Sequence, residues 1–120
     1  MTTTLYQRLG GADGIARLVD DAMAAHLTNP LVKTRFENIK DMAHAKKMAR
    51  EFFCAGAGGP ETYTGKDMPT AHKGMNISEQ EYLAVTDDIV GAMEKNALSE
   101  DTKKDVIAIL YSLKGAIIRL

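Results

Sequence analysis

The chain has 120 residues with a formal net charge of -1, of which 45% are hydrophobic and 26% are charged. This composition indicates one globular domain over residues 1–120, large enough for a modest core of its own. The near balance of 15 Lys and Arg against 16 Asp and Glu excludes the electrostatic footprint of a protein that binds nucleic acid or an anionic membrane.

The single cysteine, Cys54, excludes an internal disulfide framework and fits a reducing compartment. The N-terminal segment from Met1 to Tyr6 lacks the charged-then-apolar pattern of a secretion signal. No apolar run approaches the roughly 18 residues of a membrane span. We therefore expect a cytoplasmic protein without nucleic-acid or membrane partners.

Helical periodicity dominates the chain, and strand signals are nearly absent. After Gly10-Gly11, apolar residues recur at helical spacing until Asn29-Pro30, where proline ends the predicted first long helix. This stripe is Ile15, Leu18, Val19, Ala22, Met23, His26 and Leu27. Leu31, Val32 and Phe36 belong to a short turn or one-turn helix.

Asp41 is placed as the N-cap of a second helix from Met42 to about Ala57. Its apolar stripe is Ala45, Met48, Ala49, Phe52 and Phe53. The second helix stops at Gly58-Gly59-Pro60, and the turn-rich stretch from there to about Pro69 is predicted to be loop.

Two further helices follow. Ser78-Glu79-Gln80-Glu81 has the pattern of a capping box and begins a helix that runs to about Lys95. Ser99 begins the last helix, whose stripe is Val106, Ile109, Leu110, Leu113 and Ile117. Four substantial helices predict an all-α fold.

His72 is the residue that points most directly to chemistry. It lies in the run from Met68 to Gly74, on a short helical segment after a glycine-rich loop. A neutral imidazole is the commonest nitrogen ligand for a transition metal, and one histidine can hold haem iron from one side. A single histidine is more often an ordinary surface residue, so this residue type alone decides nothing.

The whole chain resembles the group I truncated haemoglobins, the two-over-two globins. The resemblance rests on Leu5 to Gly11, on Phe36, on Asp41-Met42, and on Phe52-Phe53 before Gly58-Gly59-Pro60. It continues with Tyr63-Thr64-Gly65 and the run around His72. It implies a globin-like sandwich in which the first two long helices pack against the last two around haem.

The resemblance also implies the site. His72 would be the proximal iron ligand, Phe36 would pack on the porphyrin, and the cofactor would be haem b, because no CxxCH motif is present for covalent attachment. The remaining residues expected to contact the cofactor are Met23, Ala45, Lys47, Met48, Ala49, Phe52, Phe53, Tyr63, Met68, Tyr82 and Val85.

The distal side departs from the family pattern, in which a Tyr and a Gln, Lys or His commonly face the bound gas. The corresponding positions here are Met23, Ala45, Met48 and Ala49, and none can donate a hydrogen bond. Bound O₂ should therefore dissociate faster, whereas CO should suffer less. One extra residue between Phe36 and Met42 leaves the register of the second helix open.

Several roles stay open at this stage. His44 is a histidine at the rim or a sixth iron ligand, and Met23 or Met48 is apolar filling or a thioether ligand. Lys47 lies among basic residues that could pair with the haem propionates or form a solvated face. Tyr63 could bond a propionate or order the loop.

The leading functional expectation is a haem protein that binds O₂, NO or CO. With an electron-donating reductase, the same site could oxidise NO to nitrate. A second hypothesis is a six-coordinate haem protein for electron transfer or sensing. A third hypothesis is a helical domain that acts through protein contacts alone. We expect a monomer or a weak dimer.

Overall fold

The computed structural model describes residues 3–120, and the chain in this range folds into helices joined by short loops. Met1 and Thr2, at the start of the segment expected to carry no signal, lie outside the described residues. The helices are α1 (Leu5–Arg8), α2 (Gly11–Thr28), α3 (Lys33–Glu37), α4 (Met42–Gly56), α5 (Met68–His72), α6 (Glu79–Lys95) and α7 (Glu100–Leu113). Over residues 3–120 no β-strand forms, apart from an isolated bridge between Ile77 and Ile118, so the predicted all-α class is confirmed. None of the helices in that range combines the length and apolar character needed to cross a membrane.

The long helices begin where their capping residues predict. Asp41 accepts a hydrogen bond from the His44 amide at 3.0 Å, and Ser78 accepts one from the Glu81 amide at 3.0 Å. The Glu81 carboxylate in turn accepts from the Ser78 amide at 3.1 Å, which completes the capping box. Each cap satisfies a backbone N–H that has no partner inside its helix.

Two elements differ from the prediction. α1 was not predicted, although Thr4 and Gln7 form a capping box at its start. The last helix ends at Leu113 and continues only as a 3₁₀ turn over Lys114–Ala116, so Ile117 lies beyond it. The C-terminal residues turn back to the segment before α6, where the Arg119 amide donates to the Ile77 carbonyl at 2.9 Å. These hydrogen bonds to the segment before α6 take the place of the backbone hydrogen bonds that would continue α7.

The long helices pack as two pairs. α2 packs against α4, α6 packs against α7, and the pairs meet where α2 contacts α6. Fully buried side chains fill the space between them, among them Ile15, Leu18, Met93 and Val106. This arrangement confirms the predicted two-over-two sandwich.

Gly14 permits the tight join between α1 and α2, because a Cβ there would overlap the Leu9 backbone carbonyl. Gly14→Ala should therefore destabilise the fold by about 1–3 kcal/mol, since the overlap is with backbone that cannot rotate away. Gly91→Ala is the matched control: its Cβ would meet nothing within 4 Å inside α6, so it should stabilise the fold by about 0.5–1 kcal/mol. Urea unfolding of both variants measures the difference, and equal effects would contradict this packing.

Candidate functional site

His72 is the last residue of α5, whose N-cap Asp67 accepts a hydrogen bond from the Thr70 amide at 2.8 Å. The Nδ1 atom of His72 lies 2.8 Å from the Met68 carbonyl oxygen. A carbonyl only accepts, so Nδ1 must carry the proton and donate it. In the neutral ring the lone pair is then on Nε2, which is the form that binds a metal, with the backbone bond fixing the ring orientation.

Apolar side chains implied to contact the cofactor are covered by protein only in part. They come from α3, α4, α5 and α6, and each is half-buried: Phe36, Ala45, Met48, Ala49, Phe52, Phe53, Met68 and Val85. Met23 on α2 differs, since it is 7% exposed. Half-buried aromatic and thioether groups on several helices form the kind of surface that an apolar disc would cover.

An apolar cavity of about 180 Å³ lies beside this surface, between α1, the end of α4 and α7. Phe52 and Phe53 line it from α4, and Ile109 and Leu113 line it from α7. The α4 aromatic pair thus borders an apolar space between the helix pairs.

A buried polar cluster that the sequence did not reveal holds Phe36. The His26 ring stacks on Phe36 with centroids 4.4 Å apart and planes inclined by 24°. Nδ1 of His26 lies 2.7 Å from the Asp88 carboxylate of α6, which also accepts from the Asn29 amide nitrogen at 3.1 Å. Burial lowers the pKa of His26 and outweighs the opposing effect of Asp88. His26 is therefore a neutral donor to Asp88.

Arg35, beside Phe36, provides a second anchor for α3. Its guanidinium donates two hydrogen bonds to Glu81 at the start of α6, at 2.6 and 3.1 Å, and a third to the Met75 carbonyl at 2.8 Å. This bidentate pairing lowers the pKa of Glu81 to about 2. Because the Met75 amide bonds the His72 carbonyl at 3.0 Å, Arg35 links the helix of Phe36 to the segment that follows His72.

The loop before α5 is ordered by its own side chains. The Tyr63 hydroxyl donates to the Lys66 carbonyl at 2.6 Å, and its ring packs edge-on against Phe52 at 5.3 Å. A Cβ at Gly65 would overlap that ring, so a side chain there would displace Tyr63 from this position. Of the two roles open for Tyr63, this geometry supports the ordering of the loop. The Tyr82 hydroxyl is likewise engaged, since it donates to the Leu110 carbonyl at 2.6 Å.

The remaining predicted site residues lie on α4. His44 is exposed in the first turn, and Lys47 is exposed one turn later. Lys46, their neighbour, pairs with Asp20 at 3.2 Å. Cys54 is 3% exposed, and burial raises the pKa of its thiol to about 11, so it acts as a small buried apolar residue.

The burial of His26 should make the free energy of unfolding depend on pH. The folded-state pKa of His26 is lowered from its ordinary value of 6.5, so below about pH 6.5 the unfolded chain binds the proton more readily. The free energy of unfolding should therefore be highest above this pH and fall as the pH drops from 7 toward 5. A His26→Gln variant keeps an amide donor but does not titrate, so its loss of stability over this range should be smaller. Denaturant unfolding of both proteins at each pH measures the free energy of unfolding. If it changes with pH equally in the wild type and in His26→Gln, the assignment is wrong.

Two packed helix pairs, a partly covered apolar surface and one imidazole oriented by a backbone carbonyl are the features expected of a helical protein of the globin class. The family described as Bacterial-like globin matches residues 4–119. A group 1 truncated hemoglobin of Tetrahymena pyriformis is 30% identical over 115 residues, which cover 87% of this chain and 94% of that protein. The group 1 truncated hemoglobin of a Nostoc species is 28% identical over 116 residues, covering 97% of this chain and 98% of that protein.

A solved structure gives the same result. The truncated hemoglobin of Tetrahymena pyriformis in its Fe(III) form superimposes with a TM-score of 0.93 at 25% identity, covering 98% of this chain and 100% of that chain. The chain belongs to the bacterial-like globin family, among its group 1 truncated haemoglobins.

Proposed function

We propose that this protein binds haem b non-covalently and, at iron held by His72, binds a diatomic gas. The observation that carries the proposal is the hydrogen bond from His72 Nδ1 to the Met68 carbonyl, because it leaves Nε2 as the metal-binding atom. Bound haem would supply an iron atom that takes up O₂, NO or CO. The protein supplies the ligand, the apolar walls and the orientation of both.

The apolar walls hold the porphyrin in this proposal. Phe36 packs on one side and is kept in place by stacking on His26. Met48, Ala49 and Phe52 contribute from α4. Covering these side chains removes apolar surface from water, which favours binding by about 25 cal/mol for each Å² buried. Binding would also stabilise the fold, because only the folded chain offers these walls.

In this proposal the polar contacts between protein and haem lie only at the solvent-exposed edge of the haem site. Lys47 is exposed on α4 and is proposed to pair with a haem propionate. Tyr63 and Tyr82 are proposed to contact the porphyrin through their rings, since their hydroxyls already donate to backbone carbonyls. They are thus not available as donors to the bound gas.

The distal side is proposed to favour ligands that need no hydrogen bond. Met23, Ala45, Met48 and Ala49 offer no donor, and His44 is exposed at the helix start. A donor to a strongly polar ligand is worth about 1.5–3 kcal/mol, so its absence should shorten the residence of O₂ more than that of CO. This also disfavours a dedicated NO-oxidising activity, which would need O₂ to be held and an external reductase to return electrons.

Reconstitution with haem tests the proposal. Optical spectra should be recorded for the ferric protein and after reduction with dithionite, without added ligand. A high-spin ferrous spectrum that shifts on adding CO is the expected result. Failure to retain haem would overturn the proposal. A low-spin ferrous spectrum would favour the alternative, in which Met23, Met48 or His44 fills the sixth position and the protein transfers electrons or senses redox state.

A further inference from the structure

An exposed groove runs along the outer side of α6 and α7. Leu83 is 60% exposed, Tyr111 is 67% exposed and Ile107 is 39% exposed, and all three line this groove of about 560 Å³. Large apolar side chains grouped on one face, with charged residues at the edge, are typical of a protein-contact surface. We call this surface the α6–α7 groove.

The charges beside the α6–α7 groove have opposite signs on its two helices. On α6, Glu79 and Asp87 flank Leu83 at helical spacing, and on α7, Lys104 and Lys114 flank Ile107 and Tyr111. All four charged residues are exposed. Within residues 3–120, none of the four forms an ion pair. One side of the groove is therefore acidic and the other basic.

Two contacts fix how the helices are aligned. The Tyr82 hydroxyl bonds the Leu110 carbonyl at 2.6 Å near one end, and Lys103 approaches Glu94 at 3.8 Å near the other. The helices are therefore antiparallel. Glu79 and Lys114 line the same end of the groove, and Asp87 lies within about one helical turn of the level of Lys104. A twofold axis parallel to the helices keeps these levels and lays α6 of one copy on α7 of another.

We propose that the α6–α7 groove is the interface of a homodimer, occupied by the same groove of a second copy. In this pairing Glu79 faces the second copy's Lys114, and Asp87 faces the second copy's Lys104. Leu83 packs against Ile107 and Tyr111 of the other copy, where Lys114 already covers the Tyr111 ring at 4.2 Å from its centroid. By the twofold symmetry each of these charge pairs occurs twice, and the apolar residues lie between them. The proposal does not depend on haem binding.

Charge reversal tests the pairing directly. A basic variant, Glu79→Lys with Asp87→Lys, and an acidic variant, Lys104→Glu with Lys114→Glu, each place like charges across the interface. Sedimentation velocity of the full chain should be measured from about 1 µM to about 500 µM, which brackets the affinities of small interfaces. The wild-type chain should dimerise, and each variant alone should associate at least about tenfold more weakly. The two variants mixed should form a heterodimer of near wild-type affinity.

The effect of net charge must be separated from that of pairing in the groove. The two groove variants differ from the wild type by charges of opposite sign, so they attract each other whichever surfaces meet. The matched controls are Asp13→Lys with Asp101→Lys, and Lys40→Glu with Lys66→Glu, which change the net charge equally at exposed positions outside the groove. Asp13 and Asp101 lie in first helical turns, as Glu79 does, so the cost at the helix dipole is similar. Each control should dimerise alone like the wild type. Thermal unfolding of every variant confirms that it is folded.

Three results would overturn the proposal. The wild-type chain could remain monomeric over the whole concentration range, which would leave the groove for another partner or for none. Both groove variants could dimerise as tightly as the wild type, which would place the interface elsewhere. The acidic groove variant could bind the basic control as strongly as it binds the basic groove variant, which would reduce the effect to net charge.

Discussion

Replacing His72 with alanine should abolish stable haem retention and the spectrum of a histidine-ligated iron. His72 carries the proposed iron bond, and the Met68 carbonyl holds its ring for that role at 2.8 Å. Alanine is compatible with the short α5 helix, so the far-ultraviolet circular dichroism should change little. The measurement is the transfer of haem to a scavenging apoprotein, followed by absorbance, for the wild type and the variant side by side.

A matched control and a rescue make this result specific. His44→Ala removes an exposed histidine from α4 and should leave both retention and spectrum unchanged. Added imidazole should restore a histidine-like spectrum to His72→Ala, because the free ligand can occupy the space that the side chain leaves. Unchanged haem retention in His72→Ala, together with loss in His44→Ala, would assign the iron to the other histidine.

Local signals in the sequence predicted most of the helices. Ser78 and Glu81 form the predicted capping box, and Asn29-Pro30 ends α2 as expected, because caps and prolines act within a few residues. The same kind of signal was present for α1, where Thr4 and Gln7 are three residues apart, but it was missed. The end of α7 could not be predicted in this way, since it depends on bonds between the C-terminal residues and Asn76 and Ile77.

In the candidate site too, local sequence signals predict some features, whereas others depend on tertiary contacts. The partial burial of the α4 apolar stripe follows from helical spacing. The anchors of Phe36 do not, because Arg35 and Glu81 are 46 residues apart and His26 and Asp88 are 62 residues apart. No periodic pattern connects such pairs. His26 lies in the predicted apolar stripe of the first long helix, but its pairing with Asp88 and its stacking on Phe36 depend on tertiary contacts.

The distal wall gives the second large expected effect. Ala45→Gln should slow the dissociation of O₂ by about ten- to a hundredfold, because a side-chain amide can donate to the polar ligand with about 1.5–3 kcal/mol. Ala45→Met is the matched control: methionine has a similar length, suits a helix equally well and has no donor. Flash photolysis and stopped-flow mixing of the haem-loaded variants give the O₂ and CO rates.

The comparison of ligands separates hydrogen bonding from crowding. Both substitutions add a long side chain at a half-buried position of α4, so both should change CO binding to a similar, small extent. Only glutamine should prolong the residence of O₂. Ala49 lies one turn further along the same face, and Ala49→Gln with Ala49→Met repeats the comparison if the helix register directs Ala45 away from the ligand. Equal O₂ dissociation rates for glutamine and methionine at both positions would show that these residues do not face the gas. The proposed distal role of Ala45 and Ala49 would then be wrong, whereas the proposed role of His72 would be unaffected.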